Sequence, residues 1–294
     1  MKTQDRLHAW ILASRPRTLP ASIAPVIVGA AVAAREGAFH LPATLVALAA
    51  ALLIQIGSNF ANDLGDYYRG ADRPGRLGPT RVTSAGLLTA RQVQGGMVAV
   101  FGAATICGLY LVALGGWPIL AVGVLAIAAA LTYTIGPWPF GYYGLGDLAV
   151  FIFFGLAAVV GTAYVQTHHI TPLALAAAVP MGCLVTAILV VNNLRDIATD
   201  RAAGKRTLAV RLGRRGTQIE YILLLAVAYA VPIVLWLGLG LRPWVLLPLF
   251  TLPPAARLAR AILTEEGAAL NRALAGTAQL AVWFGVALAI GTVA

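Results

Sequence analysis

The stretch NFANDLGDYYRGAD, residues 59 to 72, places three aspartates where an apolar segment of the chain ends. These are three of the chain's eleven Asp and Glu residues, in a sequence of 294. Acidic side chains are costly in apolar segments, and those that occur there often serve a function. The stretch therefore predicts a binding or catalytic site at the end of an apolar helix.

The composition predicts an all-α polytopic membrane protein, because 60% of the residues are hydrophobic, 11% are charged and the mean hydropathy is +0.83. Nine apolar stretches approach the ~20 residues that a bilayer requires of a helix. We therefore expect one transmembrane domain over residues 1 to 294, with nine membrane helices. The predicted spans are residues 19 to 34, 41 to 62, 92 to 114, 117 to 135, 147 to 166, 172 to 195, 219 to 239, 243 to 263 and 269 to 292.

The basic residues predict the orientation of the chain. All 21 Lys and Arg residues except Arg35 and Arg242 fall on one side of the nine predicted spans. The positive-inside rule then puts the N-terminus and the arginine-rich loops in the cytoplasm, with the chain crossing the cell (inner or plasma) membrane many times. The net charge of +10 reflects this topology and an anionic ligand, so we expect no nucleic-acid partner.

A second stretch, VVNNLRDIATDRAAGKRT at residues 190 to 207, repeats the acidic pattern. Asn192, Asp196 and Asp200 are spaced i, i+4 and i+8, which puts them on one helix face. In the first stretch, four polar residues fall within about 60° of one helical direction: Asn59, Asn62, Asp63 and Asp66. Both stripes lie on the arginine-rich side, so we expect them to face one cavity.

This pattern indicates a site for a divalent metal and a diphosphate. Mg²⁺ is held by one or two carboxylates and completed by phosphate oxygens and water, while Arg and Lys neutralise the remaining phosphate charge. Arg81, Lys205 and Arg206 are the candidate cations. The alternative is that the aspartates pair with neighbouring arginines and only end the helices. In a membrane bundle, the expected ligand is a diphosphate with a lipid tail.

The two motifs resemble those of the UbiA superfamily of intramembrane prenyltransferases, in which an NDxxDxxxD-like motif follows helix 2 and a DxxxD motif follows helix 6. Here they are Asn62, Asp63, Asp66 and Asp72, and then Asp196 with Asp200. Six positions rather than four separate Asp66 from Asp72, and this spacing is similar to that of one branch. That branch comprises the 1,4-dihydroxy-2-naphthoate polyprenyltransferases. The shared segments are RPRTLPASIAPVIVG at 15 to 29, RLGPTR at 76 to 81, YTIGPWPFGYYGLGDLAVFIFFG at 133 to 155 and DIATDRAAGKRTLAVRLG at 196 to 213.

The resemblance implies a nine-helix bundle around a central cavity that binds Mg²⁺, a polyprenyl diphosphate and 1,4-dihydroxy-2-naphthoate beside membrane lipid. The implied reaction transfers the prenyl group to the ring with loss of carbon dioxide and diphosphate, giving demethylmenaquinone. The expected metal ligands are Asp63, Asp66, Asp196 and Asp200. The expected catalytic residues are Asp66, Asp72, Asp196 and Tyr133. The expected substrate-binding residues are Asn59, Asn62, Arg17, Arg81, Lys205, Arg206, Asn192 and Tyr143.

Three roles stay open in the sequence. Tyr67, Tyr68, Tyr133 and Tyr143 are candidates to face a carbocation or to act as interfacial anchors. Asp147 is a candidate helix N-cap or catalytic acid. Arg17, with Arg15 as the alternative, is a candidate for binding the aromatic carboxylate or only a positive-inside anchor.

The sequence also leaves other functions open. Within the superfamily, a 4-hydroxybenzoate, haem O or chlorophyll prenyltransferase is the nearest alternative. An anionic-solute transporter would also carry charged intramembrane residues, but it would need no metal and does not explain two Asn/Asp stripes. A phosphotransferase of the CDP-alcohol type needs an Asp-Gly followed by Ala-Arg, which GDYYRGADR lacks.

Overall fold

The computed structural model describes residues 3 to 70, 77 to 78 and 80 to 294, and within these ranges it contains helices and loops but no strand. Asp72 lies outside the described residues. The helices are α1 Thr3–Ser14, α2 Pro20–Arg35, α3 Leu41–Tyr68, α4 Ala90–Gly115, α5 Trp117–Thr132, α6 Gly146–Thr167, α7 Pro172–Ala202, α8 Leu208–Gly238, α9 Pro243–Thr264 and α10 Leu270–Val293.

The chain is a multi-pass membrane protein, and the prediction of an all-α fold is confirmed. Each predicted span coincides with a helix, as expected where lipid leaves the backbone no hydrogen-bond partner but itself. Among the described residues, seven helices are long and apolar enough to cross a bilayer. The count rises to eight if α2 and the segment before it, which meet at a bend of 53°, form one span, whereas α5 has only 16 residues. The count of nine crossings is therefore not confirmed.

Helix α7 lies at the centre of the bundle. Its most apolar stretch is 78% buried, and it packs against α2, α6, α8 and α10. Helix α6 crosses it so closely that a Cβ atom on Gly155 would lie 2.8 Å from the Cα of Gly182. Small residues at a crossing let two membrane helices approach until their backbones touch. This packing holds the C-terminal half of α7, which carries the second acidic motif.

The two acidic motifs lie at one end of the bundle, because α3 and α7 both end there. Helix α3 continues to Tyr68 and α7 to Ala202, so both pass the predicted span ends at 62 and 195. Helix α3 includes Gly65, and glycine is needed there because a Cβ atom would lie 2.8 Å from Thr134 in the segment after α5. Asp66 and Asp196 therefore project from helical backbone rather than from loops.

Candidate active site

A cavity of about 960 Å³ opens between helices α2 to α7, and its character changes along its length. At the end that holds the motifs, it is lined by acidic, basic and amide side chains. Beyond them the wall is apolar and is formed mainly by small and aliphatic residues of α4, α5 and α6. One end therefore suits a charged group and the other a hydrocarbon chain.

Asp66 is the centre of the charged end. Its carboxylate, only 1% exposed, pairs with the Arg81 guanidinium through Oδ2. Its Oδ1 accepts hydrogen bonds from Lys205 Nζ at 3.0 Å and from the Tyr142 hydroxyl at 2.6 Å. Arg81 and Lys205 thus neutralise the buried Asp66 carboxylate and place two cations at the charged end of the cavity, where they can meet an anionic substrate.

Tyr142 is a site residue that the sequence did not identify. Burial, and then the neighbouring Asp66 carboxylate, raise the pKa of its phenol, so it stays protonated and donates its hydrogen bond. The Lys205 ammonium lies 4.5 Å from the centre of its ring. Because GYY contains two adjacent tyrosines, only the shape of the loop after α5 decides which of them faces Asp66.

Asp63 contacts backbone rather than the cavity. Its two carboxylate oxygens accept hydrogen bonds from the backbone N–H groups of Val82, at 3.0 Å, and Thr83, at 3.1 Å. Asp63 is not among the residues that line the cavity. It fixes the turn that follows Arg81, and thereby the guanidinium on Asp66. A role as a metal ligand stays a prediction.

The second motif carries its own arginine. Arg195 donates two hydrogen bonds to Asp196, from Nε at 2.8 Å and from Nη2 at 2.5 Å. It also donates to Asn192 Oδ1 at 2.9 Å and to Asn271 Oδ1 at 2.7 Å. The sequence did not single out Arg195, although its i, i+3 spacing from Asn192 on one helix face is a usable signal.

Asp200 lies beside Lys205, whose Nζ is 3.7 Å from the carboxylate of Asp200 and 3.0 Å from that of Asp66. One ammonium therefore bridges carboxylates from both motifs. Among the described residues, no three acidic, histidine or cysteine side chains converge to enclose a metal on their own. The donor set is thus separate carboxylates facing a shared space, which fits Mg²⁺ completed by phosphate oxygens and water.

Four further residues that the sequence predicted to bind substrate line the cavity. Asn62 lines the cavity and accepts a hydrogen bond from the Thr134 hydroxyl at 2.9 Å. Asn59, Asn192 and Arg17 also line it. These four residues therefore line the same cavity as Asp66, Asp196 and the basic residues paired with them.

Several predicted residues lie elsewhere. The Arg206 side chain is exposed and outside the cavity lining, while its backbone N–H donates to the Tyr142 carbonyl at 2.7 Å. Tyr143 is 40% exposed and stacks on Trp138 with ring centres 5.4 Å apart. Tyr67 and Tyr68 are also exposed, so Tyr133 alone of the four predicted tyrosines lines the cavity.

Asp147 is not a helix N-cap, because Leu145 occupies that position and Asp147 is the second residue of α6. Its carboxylate is buried, and Oδ2 has no hydrogen-bond partner among the described residues. Asp147 does not line the cavity. An acidic residue in the first turn is favourable for the helix dipole, which accounts for its placement without assigning it a role.

Comparison with known proteins identifies the family. The profile described as "UbiA prenyltransferase family" matches residues 22 to 285. A relative from Mycobacterium tuberculosis (strain ATCC 25618 / H37Rv), named "1,4-dihydroxy-2-naphthoate octaprenyltransferase", is 43% identical over 258 residues. That match covers 88% of this chain and 87% of the relative.

Solved structures agree on the fold. An apo UbiA homolog from Aeropyrum pernix K1 matches with a TM-score of 0.74 at 18% identity, covering 92% of this chain and 97% of that one. A UbiA homolog from Archaeoglobus fulgidus bound to DMAPP and Mg²⁺ matches with a TM-score of 0.64 at 15% identity, covering 96% and 99%. At sequence identities this low, the similarity shows a shared fold and nothing more. The profile match and the mycobacterial relative show that this chain belongs to the UbiA prenyltransferase family.

Proposed function

We propose that this protein transfers a polyprenyl group from polyprenyl diphosphate to 1,4-dihydroxy-2-naphthoate, releasing carbon dioxide and diphosphate and forming demethylmenaquinol, the hydroquinone form of demethylmenaquinone. The observation that carries the proposal is a single cavity with paired charges at one end and an apolar wall at the other. A prenyl diphosphate is likewise charged at one end and apolar along its hydrocarbon tail. The activity named for the mycobacterial relative supports the choice of acceptor.

The proposed diphosphate site lies at Asp66 and Lys205. Arg81 and Lys205 supply positive charge for the phosphate oxygens, and Tyr142 supplies a hydroxyl donor. Asp66, Asp196 and Asp200 would hold Mg²⁺, and the Archaeoglobus homolog bound to DMAPP and Mg²⁺ supports that metal. When bound, Mg²⁺ would stabilise the leaving diphosphate as a Lewis acid.

The chemistry that follows needs a dry, preorganised site. The C1–O bond of the prenyl diphosphate breaks, and its electrons go to the diphosphate. The ring carbon of the naphthoate that bears the carboxylate then attacks C1 of the resulting allylic carbocation. That carboxylate leaves as carbon dioxide. The apolar wall excludes water that would otherwise trap the cation, and the rings of Tyr133 and Tyr142 line the same cavity.

We also propose that the motif end faces the cytoplasm, as the positive-inside pattern predicts, in the plasma membrane of the cell. Cysteine labelling from each side of sealed vesicles tests this orientation. A cysteine introduced in the loop after α7, as in Arg206→Cys, should react from the cytoplasmic side only.

One assay tests the proposed function. Purified enzyme is incubated with Mg²⁺, a polyprenyl diphosphate and one acceptor at a time, and the product is identified by mass. We expect prenylation with decarboxylation of 1,4-dihydroxy-2-naphthoate and none of 4-hydroxybenzoate. Preferential prenylation of 4-hydroxybenzoate would contradict the acceptor, and transport without any product would contradict the enzyme class.

Lys205 and Arg206 form a matched pair of neighbouring cations. Lys205→Gln is expected to raise the KM for prenyl diphosphate about tenfold, because a charge-assisted hydrogen bond to phosphate is lost. Arg206→Gln should change it less than about twofold, since its side chain is exposed outside the cavity. Initial rates with each substrate varied in turn measure both effects. Equal effects of the two substitutions would contradict the assignment of Lys205.

Arg17 is the proposed partner of the acceptor carboxylate. It lines the cavity, and its side chain forms no hydrogen bond or ion pair within the described part of the chain. Arg17→Gln is expected to raise the KM for the naphthoate acid about tenfold and leave that for prenyl diphosphate nearly unchanged. Unaltered kinetics in a normally inserted variant would leave Arg17 as a membrane anchor.

A further inference from the structure

The turn between α1 and α2, residues 15 to 18, has an unusual backbone. Arg15 adopts φ 51° and ψ 69°, in the left-handed region that a residue with a side chain rarely occupies. Such a conformation persists only where surrounding contacts hold it, and it often occurs at functional sites. The turn forms part of the cavity wall, through Arg15, Arg17 and Thr18.

Hydrogen bonds from α3 hold this turn, and they meet at the Thr18 hydroxyl. Thr18 Oγ1 donates to the Arg15 carbonyl at 3.0 Å. It accepts from Gln55 Nε2 at 3.2 Å and from Asn59 Nδ2 at 3.1 Å. Asn59 Nδ2 also donates to the Ser14 carbonyl at 2.9 Å. One side chain thus connects the turn to two consecutive turns of α3.

These contacts use the whole donor capacity of Asn59, because a side-chain amide has only two N–H groups. Both N–H groups point to the turn rather than to the diphosphate end. Asn59 therefore supports the turn, and only its carbonyl oxygen stays available for another partner.

A second observation indicates a ligand at this wall. Ser22, one helical turn beyond Thr18, also lines the cavity. Its hydroxyl is buried, with the residue 1% exposed, and has no hydrogen-bond partner among the described residues. Buried hydroxyls are normally paired, so an unpaired one beside a cavity is consistent with a ligand that carries polar groups.

We propose that Thr18 is a positioning residue for the aromatic acceptor: it holds the turn so that Arg17 meets the carboxylate of the acid. This inference rests on the proposed function. In this role Thr18 would act through Arg17 rather than by touching the reacting atoms. Since α3 also carries Asp66, the same helix would set the acceptor and the diphosphate at a defined separation.

The test is Thr18→Val, which keeps the shape of the side chain and removes its hydroxyl. We expect the KM for 1,4-dihydroxy-2-naphthoate to rise about tenfold, with the KM for prenyl diphosphate and the kcat within about twofold. Thr18→Ser restores the hydroxyl and should restore the KM. Thr264→Val is the matched control, since the Thr264 hydroxyl bonds only to Arg260 within its own helix, and its KM should not change.

A double-mutant cycle separates positioning from general damage. In an Arg17→Gln background, Thr18→Val should have little further effect, because both changes act on one contact. As inhibitors, 1-hydroxy-2-naphthoate should bind Thr18→Val about tenfold more weakly, while 1-naphthol, which lacks the carboxylate, should bind equally well.

The outcomes are distinguishable. Additive effects of Thr18→Val and Arg17→Gln, or equal loss of both inhibitors, would overturn the positioning role while leaving the proposed reaction intact. A wild-type enzyme that does not convert 1,4-dihydroxy-2-naphthoate would instead overturn the proposed function.

Discussion

Asp66→Asn is expected to reduce turnover by about 10³-fold, the largest effect of any substitution considered, while the protein still inserts and folds. The substitution keeps the size of the side chain and removes the charge that Arg81 and Lys205 neutralise. It therefore removes a proposed Mg²⁺ ligand and also releases two cations from their set positions. Steady-state turnover across a Mg²⁺ titration, with folding checked by size-exclusion chromatography in detergent, measures the effect.

Glu266→Gln is the control for Asp66→Asn. Glu266 forms an ion pair with Arg214 at 3.4 Å, and its side chain is 75% exposed, so the loss of its charge should leave turnover unchanged. Near wild-type turnover of Asp66→Asn at limiting Mg²⁺ would contradict a metal and diphosphate site built on Asp66.

Asp196→Asn should have the next largest effect, about 10²-fold to 10³-fold on turnover, with a higher Mg²⁺ concentration needed for half-maximal rate. Asp196 accepts two hydrogen bonds from Arg195, whose side chain is buried on the central helix α7. Asp196→Asn removes the negative charge and one of the two acceptor oxygens, so this buried arginine keeps amide oxygens as partners, among them those of Asn192 and Asn271, but no counter-ion. A loss of turnover in this variant would show that the second motif contributes to catalysis in a way that the first motif cannot replace.

Glu36→Gln is the control for Asp196→Asn, because Glu36 is exposed and follows α2 at the end of the bundle opposite the motifs. Its turnover and Mg²⁺ dependence should match the wild type. If Asp196→Asn retained wild-type Mg²⁺ dependence, the second motif would be a structural pair with Arg195 only.

The membrane class, the helix positions and the family followed from the sequence by itself. A bilayer sets a minimum apolar length, and the 3.6-residue helical period determines which side chains share a face. Both properties are local, so they can be counted along the chain. The same reasoning expected Asp66, Asp196 and Asp200 to face one cavity, and all three line it, because their helices end at the same side of the bundle.

Only the tertiary structure decided which polar groups meet. Tyr142 rather than Tyr143 contacts Asp66, and Lys205 rather than Arg206 enters the cavity. Asp63 binds the turn after Arg81 instead of lining the cavity. Neighbouring residues of one type have the same local signal, whereas the direction of each side chain depends on loop backbone and on partners far along the chain. Lys205 and Asp66, for example, are 139 residues apart in sequence, and their contact exists only because the loop after α7 meets the end of α3 at the cavity.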